Sequence, residues 1–237
     1  MTLGKITPRR AHSVMLGLTA LATGVLIAAC GSSSSSSSST NTTSTTATSA
    51  QPVSGSRGSN ARSGPAAGGS IGKVSSVSTS SFGLLTSAGE MVTIKETPST
   101  TYQKGTNSAS ASAVTKGKTA LVLGTTSSTT ITATQVIVQP TNSTTKTSSQ
   151  VVPFKRGAPS TSKTIGQIPA NHKQGSGTIV SGTTANKATK AGLAAYPGGI
   201  VDRVVKLSNG EYEVHNIGVN WPHHIFVTRD FKVVGAN

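Results

Sequence analysis

Residues 200-IVDRVVKLSNGEYEVHNI-217 read as two β-rich runs on either side of Asn209-Gly210. An Asn-Gly pair in that setting signals a two-residue hairpin turn, whose two central residues both take positive φ. Such a turn opposes Ser208 to Glu211, Leu207 to Tyr212, Lys206 to Glu213, Val205 to Val214 and Val204 to His215. Strand alternation then puts Leu207, Val205, Tyr212 and Val214 on one face, toward a core. Lys206, Glu211, Glu213 and His215 fall on the other, where Lys206 and Glu213 make a cross-strand ion pair.

The flanking sequence supplies the rest of an α+β unit. Ala185 to Tyr196 reads as a helix, with Thr183 or Thr184 as N-cap and Pro197-Gly198-Gly199 ending it. Its small residues Ala188, Ala191 and Ala195, with Leu193, suit a close crossing over a sheet. Two more strands are expected at His224–Thr228 and Phe231–Val234. The order of helix, "YPGG", hairpin, "YEVH" and "FKVVG" resembles a PepSY-like half-unit over residues 184–237. That resemblance implies a binding role of the inhibitory or chaperone-like kind proposed for such domains. Where they usually carry a D-G turn, this chain has 218-GVNWPHH-224.

Upstream, 71-IGKVSSVSTSSFGLLTSAGEMVTIKE-96 breaks into three short apolar runs at Ser80-Ser81 and Ala88-Gly89, and 119-TALVLGT-125 and 130-TITATQVIV-138 add two more strands. In the last of these the register is ambiguous around Thr134. Five or six short strands between residues 71 and 139 are enough for a small antiparallel β-barrel. The series Gly72-Lys73-Val74 with Val77, Gly89 to Ile94, Ser99 to Tyr102, Lys116 to Gly124 and Thr130 to Val138 resembles a bacterial family of secreted domains of unknown function. The resemblance implies an OB-like barrel. The fold class expected is therefore mainly β with disordered linkers, an OB-like barrel module followed by a PepSY-like α+β module.

Between the two modules, residues 140–183 are rich in Thr, Ser and Gly and read as a partly ordered linker, in which Val151, Val152 and Phe154 offer an edge strand. At the start of the chain, Lys5, Arg9 and Arg10 precede a charge-free apolar run from Val14 to Ala29, the layout of a secretory signal peptide over residues 1–29. The residues 27-IAAC-30 resemble a bacterial lipobox. The resemblance implies cleavage before Cys30 and acylation of its thiol, which anchors the chain on the extracytoplasmic face of a bacterial cell membrane. Two acyl chains at about 0.8 kcal/mol per methylene hold durably. Residues 30–70 then form a disordered tether; a Ser/Gly-rich coil of roughly 40 residues spans about 35 Å r.m.s..

The chain of 237 residues carries 21 basic and 6 acidic side chains, a formal charge of +15, with 3% aromatics. The basic residues are scattered, which suits anionic head groups or wall polymers better than nucleic acid, whose binding wants a concentrated stripe and stacking rings. The expected partners are the membrane, through lipid on Cys30, and a cell-wall polymer or an envelope protein; nucleic acid is not among them. Cys30 is the single cysteine, so no intramolecular disulfide can form and no cysteine-based zinc site exists. No nucleophile, base and acid stand at spacings that assemble a catalytic site, so neither catalytic residues nor a cofactor is expected. Two of the five histidines are adjacent in 219-VNWPHHIFV-227. On a strand His223 and His224 project to opposite faces, so at most one joins His215. A mixed site of His215, Glu213 and either His223 or His224 is the metal-binding alternative, against a plain reading in which Trp221-Pro222 closes a loop. A tethered protease inhibitor is the remaining alternative, from the PepSY-like order alone.

Overall fold

The computed structural model describes residues 64–140 and 150–237. The leader, Cys30, the tether up to residue 63 and residues 141–149 of the linker lie outside the described residues. What is described is mainly β: a small closed barrel, then one helix on an antiparallel sheet.

The barrel strands are β1 (Ala66–Val77), β2 (Ser81–Thr86), β3 (Met91–Lys95), β6 (Thr119–Ser127) and β7 (Thr130–Val138). β1, β2 and β3 form a meander, β6 returns antiparallel to β1, and β7 runs antiparallel to β6. Directions cannot alternate around a closed ring of five, so one neighbouring pair must be parallel; it is β3 with β7. The small antiparallel barrel expected is present, with this one neighbouring pair parallel. Two short strands lie in the loop after β3, β4 (Thr101–Lys104) and β5 (Asn107–Ala109); they pair with each other, and β4 pairs in parallel with the second half of β7. The ambiguity at Thr134 is a β-bulge: Leu123 pairs with Gln135 and Gly124 with Ala133, so Thr134 is skipped. Val74, Leu84, Val92, Ile94, Val122 and Ile131 fill the barrel.

β1 begins at Ala66, inside the stretch assigned to the tether, and this early part matters most. Gly69 and Ser70 pair with Val201 and Ile200 of β11 (Ile200–Lys206), so one continuous sheet runs from the barrel into the C-terminal half. Ile200 belongs to the barrel core, and Ser70 Oγ donates to Gly199 O at 2.9 Å in the interior. Position 69 has to be glycine: a Cβ there would collide with Val122 O and press on the Leu123 and Thr189 side chains.

In the C-terminal half, α1 (Gly182–Ala195) starts earlier than expected, with Ser181 rather than Thr183 or Thr184 at the N-cap. It buries Ala185, Ala188, Thr189, Gly192 and Leu193, while Ala195 is exposed. The sheet order is β11, then β12 (Tyr212–Ile217), β14 (His224–Val227) and β15 (Val233–Ala236). β15 therefore begins two residues after Phe231, which instead sits in the turn with φ 60°. The linker contributes β8 (Val152–Pro153) on β13 (Val219–Trp221), β9 (Ile165–Gly166) on β15 and β10 (Thr178–Val180) on β11. Phe154, expected in the edge strand, is 55% exposed.

The hairpin register is also corrected. Leu207 N donates to Glu211 O at 2.8 Å and only Gly210 has positive φ, so the loop has three residues, 208–210, with the left-handed residue last. The pairs are then Lys206 with Tyr212, Val205 with Glu213, Val204 with Val214 and Arg203 with His215. One residue of slip moves a whole face. Val204 and Val214 face the helix, with Ile225 and Trp221 in the same cluster. Val205 and Leu207 lie on the opposite face with Phe226, and the Lys206–Glu213 pair is not formed.

Candidate functional site

The face of β12 turned away from the helix carries Glu213 and His215, and it is not open to solvent. The linker segment that contains β9 and β10 folds back across it, and Ile168, Ile179 and Val234 pack with Val205, Leu207 and Phe226. Glu213 is only 2% exposed as a result. A buried carboxylate is tolerated only when partners replace its water. Here each oxygen has one: Oε1 meets His224 Nδ1 at 2.7 Å and Oε2 meets His172 Nε2 at 3.2 Å. Burial pushes the Glu213 carboxyl up, but the hydrogen bonds from His172 and His224 and their charges outweigh it and hold it at about 2.

Three structural elements place these groups. β12 supplies Glu213, and β14 opens with His224, whose register partner is His215. The third group, His172, comes from the linker, where its backbone N–H closes a turn on Pro169 O at 2.9 Å. Its ring lies edge-on to Phe226 with centroids 4.8 Å apart, and Asn171 next to it donates to Ser208 Oγ.

A second pair stands beside the first. Between Val201 and Arg203 the β11–β12 register shifts, and the extra residue is Asp202. The bulge turns its carboxylate to His215 Nδ1 at 2.6 Å and to Arg203 Nη1 at 2.9 Å. The His215 ring is 5.2 Å from that of His224 and inclined 64° to it. Arg203 is 2% exposed; burial lowers its guanidinium below the usual value, opposed by Asp202 and Glu213.

Of the residues singled out from sequence, Glu213 and His224 come together, with His215 alongside. His223 does not join them. Its Nδ1 is 3.2 Å from Asn216 O, on a different path, and burial lowers its pKa. Trp221, expected to close a loop with Pro222, ends β13 and is buried: it is 1% exposed, donates Nε1–H to Lys163 O at 2.6 Å and stands edge-on to Tyr196. His172 and Asp202 were missed. Asp202 was legible only as the one acidic residue of the strand 200-IVDRVVK-206, and nothing local to His172 announces its neighbours.

Among the described residues, a groove between β1, β6, β10 and the start of α1 is lined by Pro65, Ala67, Thr125, Ile179, Ser181 and Asn186, and no ionisable group lines it. The titratable chemistry is concentrated at Glu213. No helix among the described residues is long and apolar enough to cross a membrane. Comparison with known proteins finds no matching family model, no matching curated protein and no matching solved structure.

Proposed function

We propose that this protein is a lipid-anchored module of the bacterial cell envelope that works by binding rather than by catalysis, held to the extracytoplasmic face of the membrane through Cys30. The single observation that carries the reading is the Ile27–Cys30 motif, placed after a charged start and an apolar run and before a Ser/Thr-rich spacer. In support, the first strand among the described residues, β1, starts at Ala66, 36 positions after Cys30. The distance suits a body lifted clear of the head groups. The lone thiol lies in the anchor motif, so none is left to act as a nucleophile in the folded unit. His172, His215 and His224 are committed to the carboxylates of Glu213 and Asp202.

Metabolic labelling with a fatty-acid analogue tests the anchor. Label is expected on the wild-type chain and absent from Cys30→Ala, with the wild type retained in the membrane fraction. Equal labelling of both chains, or an unprocessed amino terminus by mass spectrometry, removes the proposal.

A further inference from the structure

Glu213, His172 and His224 converge from three separate parts of the chain, with one donor atom from each lying within 4.8 Å of the other two. An ion about 2.0–2.2 Å from nitrogen and carboxylate ligands in tetrahedral geometry wants its donors about 3.3–3.6 Å apart. The contacts around Glu213 are of that order, 2.7 Å from Oε1 to His224 Nδ1 and 3.2 Å from Oε2 to His172 Nε2, one on each carboxylate oxygen. Donor atoms all within 4.8 Å of one another are near enough for the three side chains to close on one ion. The carboxylate is buried and the flanking groups are imidazoles, which are neutral donors when they ligate a metal.

We propose that these three side chains form a binding site for one divalent transition-metal ion of the zinc class. Two imidazole nitrogens and one carboxylate oxygen make a borderline donor set. Calcium and magnesium prefer all-oxygen shells, and copper(I) prefers sulfur, which the folded unit does not offer as thiolate. Three protein ligands leave a fourth position for water or a small anion. The Asp202–His215 pair is the supporting layer. Asp202 fixes the His215 ring, and that ring packs 5.2 Å from His224 and limits its rotation. Arg203, the cation in the same layer, is turned onto Asp202 at 2.9 Å. Because His172 belongs to the linker and Glu213 to the central strand, a bound ion also pins the linker to the sheet.

The test is calorimetric titration of the full chain in detergent, stripped with chelator and then given zinc(II) or, separately, copper(II). One ion per chain at micromolar or tighter affinity is expected, with a rise in melting temperature. His172→Ala and Glu213→Gln each weaken binding by about tenfold or more, and His172→Ala loses the rise in melting temperature. His223→Ala binds as wild type does. If Glu213→Gln does not fold, His172→Ala decides, since His172 belongs to the linker and not to a strand of the central sheet. Absence of saturable binding for both ions overturns the site. So does wild-type affinity in His172→Ala, which means an ion held elsewhere. The Cys30→Ala chain gives the same titration, so the outcome is independent of the anchor.

Discussion

Glu213 and Tyr102 show how differently two ionisable side chains settle in one small protein. Glu213 lies under the linker and is held ionised by two histidines. Its residue type and strand position were readable from sequence, and its burial was not. Alternation assigned it to a solvent face, because the layer that covers it is contributed by residues 41 positions away. Tyr102 is half-buried at the barrel edge and donates its hydroxyl to Glu96 Oε1 at 2.8 Å. Burial first, then this hydrogen bond and the Glu96 charge, push its phenol up to about 12 from an ordinary 10.0. A folded-state pKa above the unfolded one stabilises fully below the lower value and is lost as pH rises through the higher. The stability advantage of the wild type over Tyr102→Phe is therefore constant up to about pH 10 and shrinks between pH 10 and 12. Urea midpoints across that range measure it, and a difference that stays level to pH 12 removes the assignment.

The hairpin between β11 and β12 is the element on which the site depends. Its two strands were evident from the β-branched runs, and the turn from Asn209-Gly210. The turn type was not, because the same dipeptide fits a two-residue loop or the last two positions of a three-residue one. Asn209 Oδ1 accepts the Glu211 N–H at 3.0 Å, and only Gly210, at φ 85°, is left-handed. The extra loop residue sets Val205 opposite Glu213 and leaves the helix to Val204 and Val214. Gly210→Ala puts a Cβ into a left-handed position and against the Arg229 guanidinium. A loss of about 1–2 kcal/mol in unfolding free energy is expected. Chemical denaturation reads it directly; a loss of a few tenths or less contradicts the loop conformation. The Asp202 bulge is a second device of the same element, and no pattern in 200-IVDRVVK-206 marks it.

Over the whole molecule, the barrel and the helix–sheet half share β1, the Ser70–Gly199 hydrogen bond and a core that Ile200 enters from β11. Ala67, Ile71 and Leu121 of the barrel strands pack in turn against the cluster under the helix. Neither half buries its apolar surface alone. The described body is therefore expected to unfold in one transition, with amides of β7 and β14 exchanging through the same opening free energy. Gly69→Ala, at the junction, lowers both by a similar amount, about 1–3 kcal/mol. Two resolved transitions, or a loss confined to one half, contradicts the shared core.

The amino-acid sequence by itself determined what depends on neighbours along the chain. The mainly β class, β7 at Thr130–Val138, the breaks between the barrel strands and the existence of α1 all follow from alternation, small-residue faces and turn chemistry within a few residues. Only the tertiary structure decided the parallel β3–β7 closure, the strand that joins the two halves, and the return of His172 over Glu213. Each depends on segments distant in sequence competing for the same edge or face. Local periodicity states that a face exists; the burial of that face is settled by whichever part of the chain arrives to cover it.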